Sequence, residues 1–493
     1  MQRNLPLDSV ELDKFLVRVR EGIPFVDKCA NPFFYIVKPT HENLSKYLFR
    51  RPDSYLFYVF DLLAFGPRIF LHFMIVTCIS ILRSWQNLAW DRNHQNKKEI
   101  LFLSHFTHAQ DPSKEDAYLG ALINQQLDFV FFLNHTRINA RKISSIFEKH
   151  GKRNLVINSK SLLPHQTLLL QVSLIRVSGW LFLKSFLAGK LKIEERRLML
   201  RAAIWQHSRA TMANLTLKNR LTKTIQKVEP NFLVLPLEGH AHEAMIIDLR
   251  ENRFKQLRIV GYQHAPVVPG QMNLKRMISL LNVNDFCLTT GETLKKQILE
   301  ESTKCKIAVI GSPKSRQFQF KTKDFSRIQV LVAPEGNKES LIEFTSLTTG
   351  LSSLLPRFHF VFRPHPGFEN LLSTSLSNLL TGNPNVELST STLIDDLSDS
   401  HFVLFRSSAV GIEGLCYGAQ PVHWDYLGKN LLNPFAQTSF VSLTGKNLQE
   451  IAFVIESFDV NFLNSHEFEI LCQDFFYSYF SKMQNLRSLL NIS

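Results

Sequence analysis

Short apolar runs alternate with helical stretches along residues 99–310. Five of these runs have the length and composition of strands, namely 100–104, 129–133, 155–157, 232–235 and 258–262. Helical segments separate most of them. This alternation predicts parallel βαβ units, with helices covering both faces of a sheet.

A second series of the same kind follows residues 309–313, where glycine and proline interrupt the apolar pattern. Its predicted strands are 330–333, 359–362, 386–388, 401–405 and 420–424. Two such series joined end to end predict the α/β class, with two facing Rossmann-like domains and a ligand cleft at the carboxyl ends of the strands.

The pattern also predicts how the rest of the chain is organised. Residues 1–95 are expected to form a helical extension, 96–310 an acceptor domain with a helical insertion at 162–227, 311–460 a donor domain, and 461–493 an amphipathic helix. In the extension, residues 62–82 are nearly all apolar but contain Pro67 and Arg68. A spanning helix needs about 20 apolar residues, so a buried or interfacial helix is favoured over a spanning one.

The chain carries 57 Lys and Arg against 43 Asp and Glu, a formal net charge of +14. A basic excess suits phosphorylated ligands or an anionic membrane surface. No zinc-finger spacing, aromatic RNA-binding signature or dense basic tail is present, so nucleic acid is not expected as a partner. Single, scattered cysteines and no apolar leader favour a cytoplasmic location. The basic insertion could contact the inner face of the membrane, or its basic residues could form the solvated face of an ordinary helix, and both alternatives stay open.

The predicted strand 359–362 runs directly into Arg363, Pro364, His365 and Pro366. The prolines end the strand and hold the imidazole where α/β domains bind ligands. Arg363 supplies a positive charge suited to phosphate. The alternative is a rigid loop with a surface histidine.

Two other loops of the same domain have residues suited to a nucleotide. Arg406, Ser407 and Ser408 lie between a predicted strand and a helix, where hydroxyls and free backbone N–H groups suit phosphate, and Glu413 in that helix suits ribose hydroxyls. Ser407 as a plain helix cap is the alternative. Weaker candidates are Glu335 and Gly336, which follow the first strand of the domain.

Acidic and histidine residues follow two strands of the first domain. Glu238, His240 and Glu243 come after 232–235, and Gln263 and His264 come after 258–262. Such groups converging on one cleft suit proton transfer, so Glu238 and His264 are candidates for catalytic residues. Their spacing matches no familiar zinc pattern, so no metal is expected. His105 and Asp111, after an earlier strand, are candidates for the acceptor side of the cleft, together with Gln263, His240 and Glu243.

These motifs together resemble bacterial surface-carbohydrate (capsule and O-antigen) biosynthesis proteins of the two-Rossmann GT-B glycosyltransferase type. The resemblance covers about residues 97–460 and carries two signatures: the Glu238-Gly239 segment with 261–265, and the His-Pro and paired-serine motifs of CMP-sugar-using sialyltransferases and Kdo transferases. It implies that Glu238 is the catalytic carboxylate, that His365 assists departure of CMP, and that Ser407 and Ser408 bind its phosphate.

The resemblance implies transfer of a CMP-activated acidic sugar to a surface polysaccharide or glycolipid, without a cofactor or metal. Whether Glu238 acts as a base, giving inversion, or as a nucleophile, giving retention, stays open. Alternative functions are a CDP-glycerol or CDP-polyol phosphotransferase and a UDP- or GDP-sugar glycosyltransferase. A non-catalytic sugar-binding subunit of an assembly complex is the alternative from another class.

Overall fold

The structure is a computed structural model. It describes residues 9–24, 29–34, 55–71, 73–75, 78, 97–106, 118–123, 128–134, 143, 145, 155–158, 164–187, 189, 191–299, 304–365, 374–428 and 430–492. Asp111 and Pro366, both predicted to lie in the site, fall outside these residues.

The first domain is built on a parallel sheet of seven strands in the order β3-β2-β1-β4-β5-β6-β7. Its strands are β1 (Ile100–Phe106), β2 (Phe129–Asn134), β3 (Leu155–Asn158), β4 (Phe232–Pro236), β5 (Arg258–Gln263), β6 (Phe286–Thr289) and β7 (Lys306–Val309). The order reverses between β1 and β4. This topological switch point is where doubly wound sheets bind ligands.

The second domain repeats the arrangement with six parallel strands in the order β10-β9-β8-β11-β12-β13. They are β8 (Gln329–Val332), β9 (His359–Phe362), β10 (Val386–Leu388), β11 (Phe402–Phe405), β12 (Gln420–Trp424) and β13 (Leu443–Gly445). Its switch point lies between β8 and β11. The predicted fold class, two Rossmann-like α/β domains after a helical extension, is confirmed; the strands β6, β7 and β13 were not predicted.

Both faces of the first sheet are buried, which explains its nearly continuous apolar strands. In β1, Leu101 and Leu103 belong to the apolar cluster on one face, whereas Ile100 and Phe102 belong to the cluster on the other. Successive side chains of a strand point to opposite faces, and a parallel sheet needs helices on both. The polar residues of these strands are therefore concentrated at the strand ends.

Helices cover the two sheets and connect their strands. They are α1 (Ser9–Glu21), α2 (Tyr55–Leu63), α3 (Pro164–Leu187), α4 (Ile193–Trp205), α5 (Arg209–Val228), α6 (Ala241–Arg253), α7 (Met272–Ser279), α8 (Glu292–Leu299), α9 (Lys338–Leu354), α10 (Thr374–Thr381), α11 (Leu393–Asp399), α12 (Val410–Leu415), α13 (Leu448–Glu456), α14 (His466–Tyr479) and α15 (Leu486–Leu489).

The N-terminal extension packs on the helices inserted between β3 and β4. The Asn31 amide donates to the Ala202 carbonyl at 2.8 Å, and Asp61 of α2 pairs with Arg197 at 3.2 Å and Arg201 at 2.6 Å in α4. All of these side chains except Arg201 are buried. The extension and the insertion thus form one helical layer beside the first sheet.

The C-terminal segment returns from the second domain to the first. A single amphipathic helix was expected there, but α14 ends at Tyr479 and only the short helix α15 follows. The backbone of Ser481 leaves the helical pattern because its N–H donates to the Thr290 carbonyl at 2.8 Å and its carbonyl accepts from Ser312 N–H at 2.9 Å. The tail therefore links the two domains.

Candidate functional site

Three strand ends of the first domain bring their polar side chains together at its switch point. His105 lies near the end of β1, Glu238 follows β4, and His264 follows β5. Because β4 pairs with both β1 and β5, these residues lie at one edge of the sheet. All three are partly exposed, as a site open to a substrate requires.

The Glu238 carboxylate lies between two imidazoles. Its Oε2 is 2.9 Å from His240 Nε2, and its Oε1 is 3.3 Å from His264 Nε2. The two carboxylate oxygens therefore each have an imidazole as their partner. This arrangement brings together two of the predicted catalytic residues, Glu238 and His264.

The histidines control the ionisation of this carboxylate. Burial raises the pKa of Glu238, but the hydrogen bond from His240 and the charges of His264, His240 and His105 outweigh it and lower the pKa to about 2. Burial lowers the pKa of His240, and its hydrogen bond to Glu238 with the Glu243 and Glu238 charges raises it overall. Glu238 is thus an anion at neutral pH, suited to stabilise positive charge on a neighbouring imidazole.

The backbone of the loop that carries Glu238 is fixed by hydrogen bonds with buried side chains. Gly239 has a φ of +90°, and a Cβ there would lie 2.6 Å from the Asn273 amide nitrogen, so both conformation and space require glycine. The Glu243 carboxylate accepts from the backbone N–H groups of Glu238 and Gly239 at 2.9 to 3.1 Å. Asn273 donates to the Gly239 carbonyl. These bonds fix the direction of the Glu238 side chain.

Two residues predicted on the acceptor side lie behind the cleft instead. Glu243 is 1% exposed and Gln263 is 0% exposed. The Gln263 amide donates to the Ala265 carbonyl at 2.7 Å and supports the loop that carries His264. Their amide and carboxylate groups hold loops in this structure, so His105 and His240 are the described residues for which acceptor contact stays a prediction.

Aromatic rings surround the Glu238 site on the side of β1. The Tyr118 ring lies 5.1 Å from the His105 ring and 5.4 Å from the His264 ring, and His242 lies 5.5 Å from both His105 and His240. Tyr118 was missed in the sequence because it belongs to no motif and lies in a turn outside the strands. His242, although inside the motif, was not selected as a site residue.

In the second domain, the Arg406 guanidinium forms ion pairs with two carboxylates of the protein, although it was predicted to bind a donor phosphate. Its guanidinium is buried and donates to Glu335 through Nε and Nη2 and to Glu343 through Nη1, at 2.7 to 3.1 Å. It also packs over the Tyr426 ring at 4.7 Å. Ser407 donates to the same Glu335 carboxylate at 2.9 Å. These bonds hold the loops after β8 and β11 together. The predicted contact with the donor is a different role.

Arg363 is likewise ion-paired, whereas His365 is presented to solvent. Arg363 Nη1 donates to Asp396 at 2.6 Å and to Ser389 at 3.0 Å. His365 is exposed, and a Cβ on Gly336 would lie 3.1 Å from its Nδ1. Gly336 thus allows the imidazole to pack over the loop after β8, at the switch point where a donor was predicted to bind.

The remaining donor residues lie around a short helix. α12 has six residues, so its dipole is smaller than a long helix would supply. Ser408 Oγ accepts from Val410 N–H at 3.3 Å, and Glu413 pairs with Lys314 at the junction between the domains. Their predicted contacts with phosphate and ribose stay predictions. Within the described residues, no group of three or more His, Cys, Asp or Glu side chains has the arrangement of a metal site.

The chain resembles several solved structures at low identity. A UDP-GlcNAc 2-epimerase from Neisseria meningitidis bound to UDP-GlcNAc is 14% identical, with a TM-score of 0.43, covering 78% of this chain and 95% of that one. A glycosyltransferase from Rickettsia africae ESF-5 is 11% identical, with a TM-score of 0.44 and coverages of 80% and 96%. A UGT transferase from Siraitia grosvenorii in complex with UDP is 11% identical, with a TM-score of 0.44 and coverages of 77% and 94%.

No protein-family model and no curated protein matches the chain. The function is therefore inferred from the chain's own residues.

Proposed function

We propose that the protein is a glycosyltransferase that moves a sugar from a CMP-linked donor to a hydroxyl of a glycan or lipid-linked glycan. The observation that carries the proposal is the Glu238 carboxylate held between His240 and His264 at the switch point of the first domain. In this mechanism the acceptor oxygen bonds to the anomeric carbon while the bond from that carbon to the phosphate oxygen breaks. CMP leaves with the electron pair.

His264 is proposed to take the proton of the acceptor hydroxyl. An imidazole is suited to this transfer because it can accept a proton on one ring nitrogen while the other nitrogen donates to a carboxylate. Glu238, 3.3 Å from its Nε2, is ionised and stabilises the imidazolium that forms, as a buried carboxylate does for a catalytic histidine. The low pKa of Glu238 supports this role, because it makes the carboxylate a weak base itself.

The donor is proposed to bind across the strand ends of the second domain, with its phosphate near His365 and Ser408. Arg406 and Arg363 are ion-paired with Glu335, Glu343 and Asp396. This pairing reduces the positive charge offered to a ligand, which favours one phosphate over two. Together with the His-Pro and paired-serine motifs, it supports CMP over UDP, GDP or CDP as the leaving group.

A donor panel tests this function. The purified protein is incubated with CMP-linked sugars, CDP-glycerol, and UDP- and GDP-linked sugars, and release of each nucleotide is measured. Release of CMP from a CMP-sugar is the expected result. Release of CMP from CDP-glycerol would assign a phosphotransferase, and UDP or GDP release would overturn the donor assignment.

Two variants test whether CMP release depends on the proposed donor site. His365→Ala should lower CMP release because it removes the imidazole at the donor side. His466→Ala is the matched control, since His466 is 83% exposed and lies outside the site. Equal loss in both variants, or none in either, would contradict the donor assignment.

A further inference from the structure

One face of α3 exposes large apolar side chains at helical spacing. Leu169 and Leu187 are each 69% exposed and Phe186 is 59% exposed. The face consists of Leu168, Leu169, Val172, Ile175, Leu183, Phe186 and Leu187. Exposed apolar patches of this kind mark interaction surfaces.

The helix α2 and the helical residues that follow it extend this face. Phe65 stacks on Phe182 of α3 with ring centroids 4.6 Å apart, and Tyr58 donates to the Ser185 carbonyl at 3.3 Å. Beside these contacts, further apolar side chains are exposed: Leu63, Phe70, Leu71 and Met74. We call these four residues and the seven of α3 the apolar surface.

The opposite face of α3 is fixed to the protein by polar contacts. Ser178 donates to the Ala203 carbonyl at 2.8 Å and lies 2.9 Å from His207 Nε2, and Gln171 lies 3.0 Å from His207 Nδ1. All three side chains are buried. Among the described residues, Leu168–Leu187 is the helix long and apolar enough to cross a membrane, but crossing would carry Ser178 and Gln171 into lipid without these partners. The contacts favour a helix lying flat at a surface.

The charged side chains of α3 and of the turn that follows it are positive. Residues 164–193 contain Arg176, Lys184, Lys190 and Lys192 and no acidic residue. Arg176 and Lys184 are exposed on α3 itself. An apolar helix face flanked by basic side chains suits the interface of a bilayer with anionic lipids, where both burial and charge attraction contribute.

We propose that the apolar surface docks the protein on an anionic lipid bilayer, with α3 lying in the plane of the interface. Docking does not depend on the proposed transfer reaction. The docked helical layer is also connected to the Glu238 loop: Arg276 of α7 donates to the Phe34 carbonyl of the extension at 2.9 Å, and Asn273 of α7 donates to the Gly239 carbonyl. Docking would therefore hold the Glu238 site close to the lipid surface that carries a lipid-linked substrate.

Vesicle sedimentation tests docking with the full chain. Vesicles of phosphatidylcholine alone are compared with vesicles containing about one third phosphatidylglycerol. The protein should sediment with the anionic vesicles. Leu169→Glu/Leu187→Glu should weaken this binding at least about tenfold, because two leucine side chains that enter the bilayer on docking are lost. Arg176→Gln/Lys184→Gln should reduce the preference for anionic over neutral vesicles.

A matched control uses exposed apolar residues elsewhere. Val441→Glu/Phe453→Glu changes side chains that are 81% and 69% exposed in the second domain, and its vesicle binding should equal that of the unaltered protein. The proposal is overturned if the unaltered protein stays in the supernatant, or if the α3 variant sediments as well as the control. A dimer without lipid that the α3 variant converts to a monomer would assign the surface to a second copy instead.

Discussion

Replacing Glu335 with alanine should destabilise the second domain, because Glu335 is the main partner of a buried guanidinium. Arg406 is 3% exposed, and three of its four bonds to carboxylates go to Glu335. Removing one partner of a buried ion pair costs about 3–5 kcal/mol. Glu335 is 15% exposed and Glu343 keeps its bond, so the lower end, about 3 kcal/mol, is expected.

Denaturation followed by tryptophan fluorescence measures this loss. Trp424 is the single tryptophan of residues 311–460 and lies 5.6 Å from the Arg406 guanidinium, so subtracting the signal of Trp424→Phe isolates the second domain. The thermal midpoint of that domain should fall by roughly 6–12 °C in Glu335→Ala.

Glu456→Ala is the matched control. Its carboxylate pairs with Arg357 at 3.4 Å, and both side chains are more than half exposed, so the change should cost less than about 1 kcal/mol. Equal shifts in the two variants would refute a structural role for the Arg406–Glu335 pair.

Three further predictions concern the site itself. Burial raises the pKa of Glu243 to about 7, so the stability that this group contributes is complete below its ordinary pKa and is lost as the pH rises through 7. Glu243→Gln should therefore remove up to about 3 kcal/mol of the change in unfolding free energy with pH. Urea midpoints that vary with pH in the same way in both proteins would exclude this contribution. Gly336→Val should displace the His365 imidazole, 3.1 Å from the added Cβ, and lower transfer at least about tenfold with an unchanged thermal midpoint; normal turnover would contradict the packing. A chelator should leave turnover unchanged, and inhibition reversed by magnesium would contradict a metal-free mechanism.

The part of the site carried by neighbouring strands was predictable from the sequence. Glu238 and His264 follow β4 and β5, and consecutive parallel strands commonly pair, so their strand ends meet at one edge. The same reasoning placed His365 and Ser407 at the edge of the second sheet. The pattern along the chain was enough to predict these positions, because residues that follow parallel strands of one sheet lie at the same edge of that sheet.

Pairings between distant residues were not predictable from the pattern. Arg406 and Glu335 are 71 positions apart, and a strand-end arginine suits a phosphate as well as a carboxylate. The sequence does not indicate the strands Phe286–Thr289 and Lys306–Val309 because four residues give little periodicity, and the second ends at Val309, where the interrupted segment 309–313 begins. The end of α14 depends on backbone bonds to Thr290 and Ser312, which no local signal indicates.

The rate of CMP release from a CMP-sugar with Glu238→Gln shows whether the Glu238 carboxylate takes part in sugar transfer. Gln keeps the shape of the side chain but removes the charge that stabilises His264, so turnover should fall by about 10²- to 10⁴-fold while CMP affinity stays within about twofold. Glu292→Gln, at a half-exposed carboxylate outside the site, should release CMP at the unaltered rate. Release by Glu238→Gln at the rate of the unaltered protein would rule out a catalytic role for Glu238.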